Sequence, residues 1–468
     1  MNLRFPDGRQ PPAAFACPVC SDPDPKPFVA AVDSVQPASL PERELQLYRC
    51  DRCQSLTYHP FPEIDYTQHT ASELTVRDYV EFNGAIDLVA RNLLRVIPDG
   101  SGTGRLLDIG CGFGFGMDAI RSIAGWEVRG YEPSHYGKLG REQLGLDIVS
   151  DFAAKNNGSS ALFDIVHCSE VIEHINDPGE FVGILASYLK DDGVLVLTTP
   201  DAARIARGTD PSTLLALLSP GAHTILYSAE GLAQVLRSAG FAHVEIDRSA
   251  ASMLVYASRA PLRFQQRSPQ AVAERLHRHL RDRLSRAAPG SSLEIGLRYR
   301  LFRGALDAGD YPLAEAAFTP RLADAAPRLD DIETPAQFAA RWPICIAAST
   351  YYLGMLMLLH RGDYPGAARH FRAAARLCQT KMTLSAATAV VETDLIWRAV
   401  YHEALALSYA GELLRALARL ASFVDFGGEA SPPVPANLHA PVLALRNKLA
   451  ELGDEVQKAK RPRKPWPF

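Results

Sequence analysis

The spacing of apolar positions changes along this chain, and the changes divide it. Residues 1–60 hold few periodic segments and many turn formers. Residues 72–97, SELTVRDYVEFNGAIDLVARNLLRVI, put apolar groups at helical spacing and stop at PDGSGTG. Short apolar runs then alternate with helical ones. RLLDIG, WEVRGYEPS, LDIVS, ALFDIVHCSE and GVLVLTTP read as strands; GMDAIRSIA, HYGKLGREQLG and FVGILASYLK read as helices. Strands and helices alternating in this way predict a mostly parallel sheet covered on both faces. SAEGLAQVLRSAGF (228–241) adds a helix, and HVEIDRSA with ASMLVYAS (243–258) an antiparallel pair that closes the sheet.

From about residue 262 the chain is alanine- and leucine-rich and helical throughout. Aligning GDYP at 309–312 with GDYP at 362–365 brings Ala314 onto Ala367 and Phe318 onto Phe371, and AGE replaces the corner in a looser third copy at 401–420. Glycine ending one helix, with small residues in the next, suits closely packed antiparallel pairs. The pattern resembles a tetratricopeptide-like array, with a period of about 50 residues instead of 34; helical-hairpin repeats describe it. Three parts are expected: 1–70, 71–260 and 261–468, the last ending in a basic, disordered tail, KAKRPRKPWPF.

The 468 residues are 47% hydrophobic and 22% charged, with a formal net charge of −4, which gives no electrostatic case for a nucleic-acid surface. No apolar run reaches the roughly 20 residues of a membrane span, and the N-terminus lacks the apolar core of a signal peptide. A cytoplasmic chain is expected, so its eight cysteines are read first for reduced-state chemistry.

RLLDIGCGFGFG (105–116) carries the first candidate chemistry. Glycines after a parallel strand let the chain turn tightly and bring a ligand against backbone N–H groups. The dinucleotide pattern G-x-G-x-x-G fails, because Phe115 or Met117 stands where its last glycine belongs, and no lysine closes a P-loop. Asp108, Gly110, Gly112, Gly114 and Gly116 remain. The second strand ends in Glu132, whose carboxylate can accept from both hydroxyls of a ribose.

With LLDIGCGFG (106–114), GYEPS (130–134), FDIVHCSEVIEHINDP (163–178) and LKDDGVLVLTTP (189–200) in this order, residues 75–258 resemble the class I S-adenosylmethionine-dependent methyltransferases. The resemblance implies a Rossmann-like α/β domain. It also implies Asp108, Gly110, Gly112 and Gly114 beside the cofactor, Glu132 on its ribose, Asp151 and Phe152 near its adenine, and Cys168 and Ser169 lining the transfer opening. His174 and His223, with Tyr227 four residues on, fall where the family's small-molecule branch places acceptor-side groups. His174 also reads as a loop brace, and Tyr227 as a pocket wall.

CPVC and CDRC place Cys17, Cys20, Cys50 and Cys53 as two C-x2-C pairs 29 residues apart. Two such knuckles in a segment poor in helix supply four thiolates for one closed, structural zinc. A cysteine segment followed by YHPFPEIDY (58–66) and then a class I domain resembles the zinc-bearing sugar C-methyltransferases, although their last part is an α/β lobe. Methylation of a small hydroxylated, sugar-type or glycan acceptor is expected, with oxygen, nitrogen and carbon all open. The helical repeats are expected to hold a protein partner, a second copy or a polymeric acceptor. A protein-directed methyltransferase and a non-catalytic scaffold are the alternatives.

Overall fold

A computed structural model describes residues 3–6, 8, 10–33, 44–62, 73–83, 86–100, 102–156, 162–209, 211–318, 334–384, 390–425 and 434–460. The basic tail beyond Lys460 and the second half of YHPFPEIDY lie outside these residues. The chain forms two compact units, Met1–Thr209 with Thr213–Ser285, and Arg286–Phe468 with Asp210–Ser212.

In the first unit the strands are β1 (Leu3–Arg4), β2 (Phe28–Asp33), β3 (Glu44–Arg49), β4 (Leu56–Tyr58), β5 (Arg105–Ile109), β6 (Glu127–Tyr131), β7 (Asp147–Val149), β8 (Phe163–Ser169), β9 (Leu189–Pro200), β10 (Ile225–Leu226), β11 (His243–Asp247) and β12 (Ser252–Ser258). Its helices are α1 (Glu73–Asp78), α2 (Ile86–Leu94), α3 (Phe115–Ala124), α4 (His135–Leu144), α5 (Pro178–Ser187), α6 (Pro211–Leu218), α7 (Ala229–Ser238) and α8 (Pro269–Leu284).

The main sheet runs β11-β12-β9-β8-β5-β6-β7. Its five strands from β9 to β7 are parallel, and β12 and β11 close the edge antiparallel. Leu106, Leu107, Val166, Leu195 and Leu197 are fully enclosed, as expected for strands with helices on both faces. From β5 the chain steps outward to β6 and β7, then returns to β8 on the other side of β5. That reversal leaves a crevice at the carboxyl ends of the strands, where open α/β sheets bind ligands.

The N-terminal segment is more regular than its composition suggests. β1, β2, β3, β4 and β10 form a five-stranded antiparallel sheet. Its last strand comes from residues 225–226, paired Ile225 to Thr57 and Leu226 to Leu56. Val32, Leu47, Leu56 and Tyr58 bury one face against Leu214, Leu217 and Leu218 of α6.

The expected single helix over 72–97 divides into α1, a wide turn at Tyr79–Asn83, and α2. The expected boundary at 260 also moves. Residues 265–284 are strapped to the first unit: Gln265 N donates to Arg95 O at 2.7 Å, Arg267 to Ile97 O at 2.7 Å, and Arg283 of α8 to Leu144 O at 3.1 Å and to both carboxylate oxygens of buried Asp118. The compact unit therefore ends at Ser285.

The second unit is helical: α9 (Ser292–Asp307), α10 (Tyr311–Ala317), α11 (Pro335–Arg341), α12 (Ile346–Leu356), α13 (Tyr364–Leu384), α14 (Val390–Tyr409), α15 (Leu413–Asp425) and α16 (Ala436–Lys460). Three corners recur, with Gly309, Gly362 and Gly411 all in the left-handed region (φ 73°, 64° and 79°) between the two helices of a hairpin. The aligned Ala314 and Ala367 are both fully buried, where a larger side chain would hold the helices apart. Among the described residues no helix is long and apolar enough to cross a membrane.

Candidate functional site

The crevice at the strand ends holds a cleft of about 430 Å³. Gly110 after β5, Tyr131 and Pro133 around the end of β6, Asp151 and Phe152 after β7, and Ile175 after β8 line it. Phe152 is 54% exposed, a large apolar ring presented to the cleft mouth. Gly110, Asp151 and Phe152 thus meet at one cavity.

The glycine loop is held from both sides. Gly110 N donates to Tyr131 O at 2.9 Å, and Glu132 accepts from Gly112 N at 3.0 Å and from Ser134 N at 2.9 Å. Each carboxylate oxygen of Glu132 thus carries one backbone bond and keeps capacity for another. Gly110, Gly112 and Gly114 all have positive φ (73°, 53° and 81°). At Gly110, Gly114 and Gly116, however, the close neighbours belong to the protein: an added Cβ would lie 2.5 Å from Val171, 2.5 Å from Leu146 and 2.4 Å from Val89 respectively. These three glycines serve packing around the loop and α3. Tyr79 stands over Gly112, its hydroxyl 2.8 Å from where a Cβ would be, and its ring lies 4.9 Å from Tyr136. The wide turn after α1 therefore covers the loop, a contact that generic helical periodicity does not reveal.

Several expected residues face inward. Asp108 is buried, with Oδ1 2.8 Å from His167 Nδ1 on the neighbouring strand. Cys168 is fully buried, and the Ser169 hydroxyl lies 2.6 Å from that of Thr198. Tyr227 is fully enclosed and donates to Ile172 O at 3.2 Å, bracing the turn that carries His174. Burial drives both the Cys168 thiol and the Tyr227 phenol well above their ordinary ranges, so both stay protonated.

His174 and His223 come together. Their rings meet edge to face at 4.8 Å. His174 Nδ1 lies 2.8 Å from Ala222 O, and His223 Nδ1 2.8 Å from Leu217 O. A carbonyl accepts only, so Nδ1 carries the proton in each ring, which leaves Nε2 of His223 as its basic atom, while His174 also bonds the Glu170 carbonyl. Burial holds His174 below the usual histidine range and, with His174 beside it, pushes His223 down to about 3. Both are neutral at physiological pH.

Glu173, absent from the sequence-predicted set, completes this group. It is fully buried, Oε2 accepts from Thr199 at 2.9 Å, and Oε1 lies 3.8 Å from His223 Nε2. Burial first, then the charge of Glu170, raises its carboxyl well above the carboxylate range. The sequence signal was a glutamate set among apolar residues in EVIEHI. Glu173, His174 and His223 offer three ligand atoms within 4.8 Å of one another.

The four cysteines of the N-terminal pairs are buried and converge. Cys17 and Cys53 Sγ atoms lie 3.7 Å apart, Cys20 and Cys50 3.6 Å apart, and all four within 4.8 Å. Four thiolates about 2.3 Å from a tetrahedral zinc would have edges of about 3.8 Å, so the observed spacing fits that ion. The two turns are alike: Ser21 N bonds Cys17 O, Gln54 N bonds Cys50 O, and Ser21 and Gln54 both have positive φ. Lys26, 1% exposed, donates to Asp22 Oδ2 at 2.6 Å, and that oxygen lies 3.6 Å from Cys50 Sγ. A cation is thus built in beside the thiols. Ser228 ties the cluster to the rest of the unit, accepting from Gly231 N while its hydroxyl donates to Cys53 O.

A family described as "Methyltransferase domain" matches residues 81–246, the stretch that builds the cleft and the histidine pair. The chain contains a methyltransferase domain. It is 33% identical over 106 residues to a ubiquinone biosynthesis O-methyltransferase of Actinobacillus pleuropneumoniae, a match covering 20% of this chain and 45% of that protein. The like-named Salmonella paratyphi A protein is 30% identical over 105 residues, 20% of this chain and 42% of its own. The chain spans less than half the length of these curated relatives. Among solved structures, an O-methyltransferase family protein from Burkholderia thailandensis is similar at 17% identity and a TM-score of 0.33, covering 42% of this chain and 61% of that one. A SAM-dependent methyltransferase from Archaeoglobus fulgidus is similar at 20% identity and a TM-score of 0.32, covering 40% and 99%.

Proposed function

We propose that the chain is an S-adenosylmethionine-dependent methyltransferase acting on a hydroxyl of a small molecule. The observation that carries this reading is the cleft at the strand reversal, lined by Gly110, Asp151 and Phe152, with Glu132, half-buried and bonded to the glycine loop, keeping an accepting position on each oxygen. In this reading Glu132 holds the ribose, Asp151 and Phe152 flank the adenine, and Asp108 supports the loop from beneath through His167.

When bound, the cofactor would supply an electrophilic methyl group on a sulfonium, which becomes a neutral thioether once the methyl passes to the acceptor oxygen. The hydroxyl proton passes to a neutral histidine of the His174–His223 pair. Glu173 fixes their surroundings, and Tyr227 braces the turn from within. The relatives' printed names favour an oxygen acceptor; none of them supports the sugar-type acceptor implied by the N-terminal resemblance.

The N-terminal segment binds one structural zinc through Cys17, Cys20, Cys50 and Cys53, roofs the acceptor side through β10, and leaves the helical unit for acceptor or partner recognition. Calorimetric titration with S-adenosylmethionine tests the cofactor reading. Glu132→Ala should weaken binding at least tenfold, since hydrogen bonds to a charged group contribute about 1.5–3 kcal/mol each. Unchanged affinity would remove the ribose assignment.

A further inference from the structure

The stretch that carries His223 is clamped between the N-terminal sheet and the turn after β8. Tyr58 of β4, fully buried, donates its hydroxyl to Leu218 O at 3.2 Å and its backbone N–H to Thr224 O at 3.0 Å, one bond on either side of His223. Thr224 in turn donates its N–H to Glu173 O at 2.7 Å and its hydroxyl to the same oxygen at 3.0 Å. One residue thus joins β4 to the segment of the buried acid, with His223 as its chain neighbour. β10 continues the clamp, Ile225 pairing with Thr57 and Leu226 with Leu56.

These contacts lead back to the cysteine cluster. Cys50 N donates to Ser55 O at 3.0 Å, which sets where β4 leaves the second cysteine turn. Ser228 donates its hydroxyl to Cys53 O and its N–H to Ser55 Oγ at 3.1 Å. The first turn of α7 presses as closely: a Cβ at Gly231 would lie 2.5 Å from Ser55 Oγ and 3.0 Å from Val19, between Cys17 and Cys20. β4 has three residues and β10 two, too short to keep their pairing unaided. A metal that gathers four thiolates supplies folding free energy to such a segment. The glycine loop has other anchors, Tyr131 and Glu132.

We propose that the metal held by the four cysteines positions the acceptor side of the methyl-transfer site. With the ion bound, Tyr58, Ser228 and Thr224 are positioning residues that hold His223 against Glu173. Without it residues 219–228 loosen while the glycine loop keeps its form, so metal occupancy controls acceptor handling separately from cofactor binding. The inference rests on the zinc reading and on the acceptor-side placement of His223.

Hydrogen exchange on the full chain, zinc-loaded and after stripping with EDTA, tests it. Peptides from 219–228 should exchange about tenfold faster once stripped, and those from 105–116 should stay within about twofold. Added zinc should restore the first set. Ser228→Ala loaded with cobalt(II) should keep the visible absorption of a tetrathiolate site, yet its 222–228 peptides should exchange several-fold faster; Ser228→Thr, which keeps the hydroxyl, should recover protection. Tyr58→Phe, which loses only the hydroxyl, should loosen 217–224 in the same way. A chain that folds without metal would overturn the proposal together with the zinc reading. A chain that binds metal would overturn the proposal alone by any of three results: equal protection of 219–228 after stripping, equal loosening of 105–116, or wild-type exchange in both Ser228→Ala and Tyr58→Phe.

Discussion

Replacing Glu173 by glutamine isolates the energetics of the buried acid beside the histidine pair. The side chain is fully enclosed, and among the described residues Oε1 has no hydrogen-bond partner. Its ionised form would lack the solvation that water gives it, which is why burial raises the folded pKa well above 4.5. An acid shifted in this direction stabilises the fold fully below its unfolded pKa. That contribution is lost as pH rises towards the folded value. For each pH unit in which the folded carboxyl keeps its proton while the unfolded one releases it, the wild type loses about 1.4 kcal/mol. Glutamine has no such proton. The stability of Glu173→Gln minus that of wild type should therefore rise with pH, by up to about 2.7 kcal/mol between pH 5 and 7. Hydrogen exchange of β9 peptides in urea, corrected for intrinsic rates at each pH, reports the first unit alone. Parallel curves from pH 5 to 8 would refute the argument. A variant that loses ground as pH rises would show a carboxylate that the fold requires ionised.

Two further outcomes follow from the geometry. Metal analysis should find one zinc per chain; Cys17→Ser with Cys20→Ser should lose it and lower the melting temperature, and a folded, metal-free wild type would contradict the assignment. A chain ending at Ala288 should fold and bind S-adenosylmethionine, whereas one ending at Pro261 should be destabilised on the order of 3 kcal/mol, because Asp118 keeps Arg121 but loses Arg283. Equal stability of the two shortened chains, measured by urea unfolding, would move the boundary back.

Much of the first unit was legible because its signals are local. Apolar strands alternating with helical periods, glycines after Asp108 and a strand ending in Glu132 all sit within short windows. The paired cysteines announce themselves by spacing. What escaped depends on contacts between distant segments. β10 is two residues long, so no periodicity can mark it as the edge of an N-terminal sheet. α8 reads like the helices after it, since an amphipathic stripe does not say which core it covers. The glycine loop was read as a ligand surface throughout, yet Gly110, Gly114 and Gly116 make room for Val171, Leu146 and Val89. Glu173 stayed hidden because its role follows from complete burial, and burial of a single acid is decided by residues as far along the chain as Thr199 and His223.

The pairing of β10 with β4 also sets an order of events during synthesis. Residues 56–58 emerge from the ribosome about 170 residues before the strand that completes their sheet. At 5–20 residues per second the wait is roughly 10–30 s. Throughout it the nascent N-terminus exposes the apolar face that α6 will later cover, along with four unclaimed thiols. Early metal capture would tether the two cysteine turns during that interval, and zinc-starved cells should accumulate the newly made chain in chaperone-bound or aggregated form.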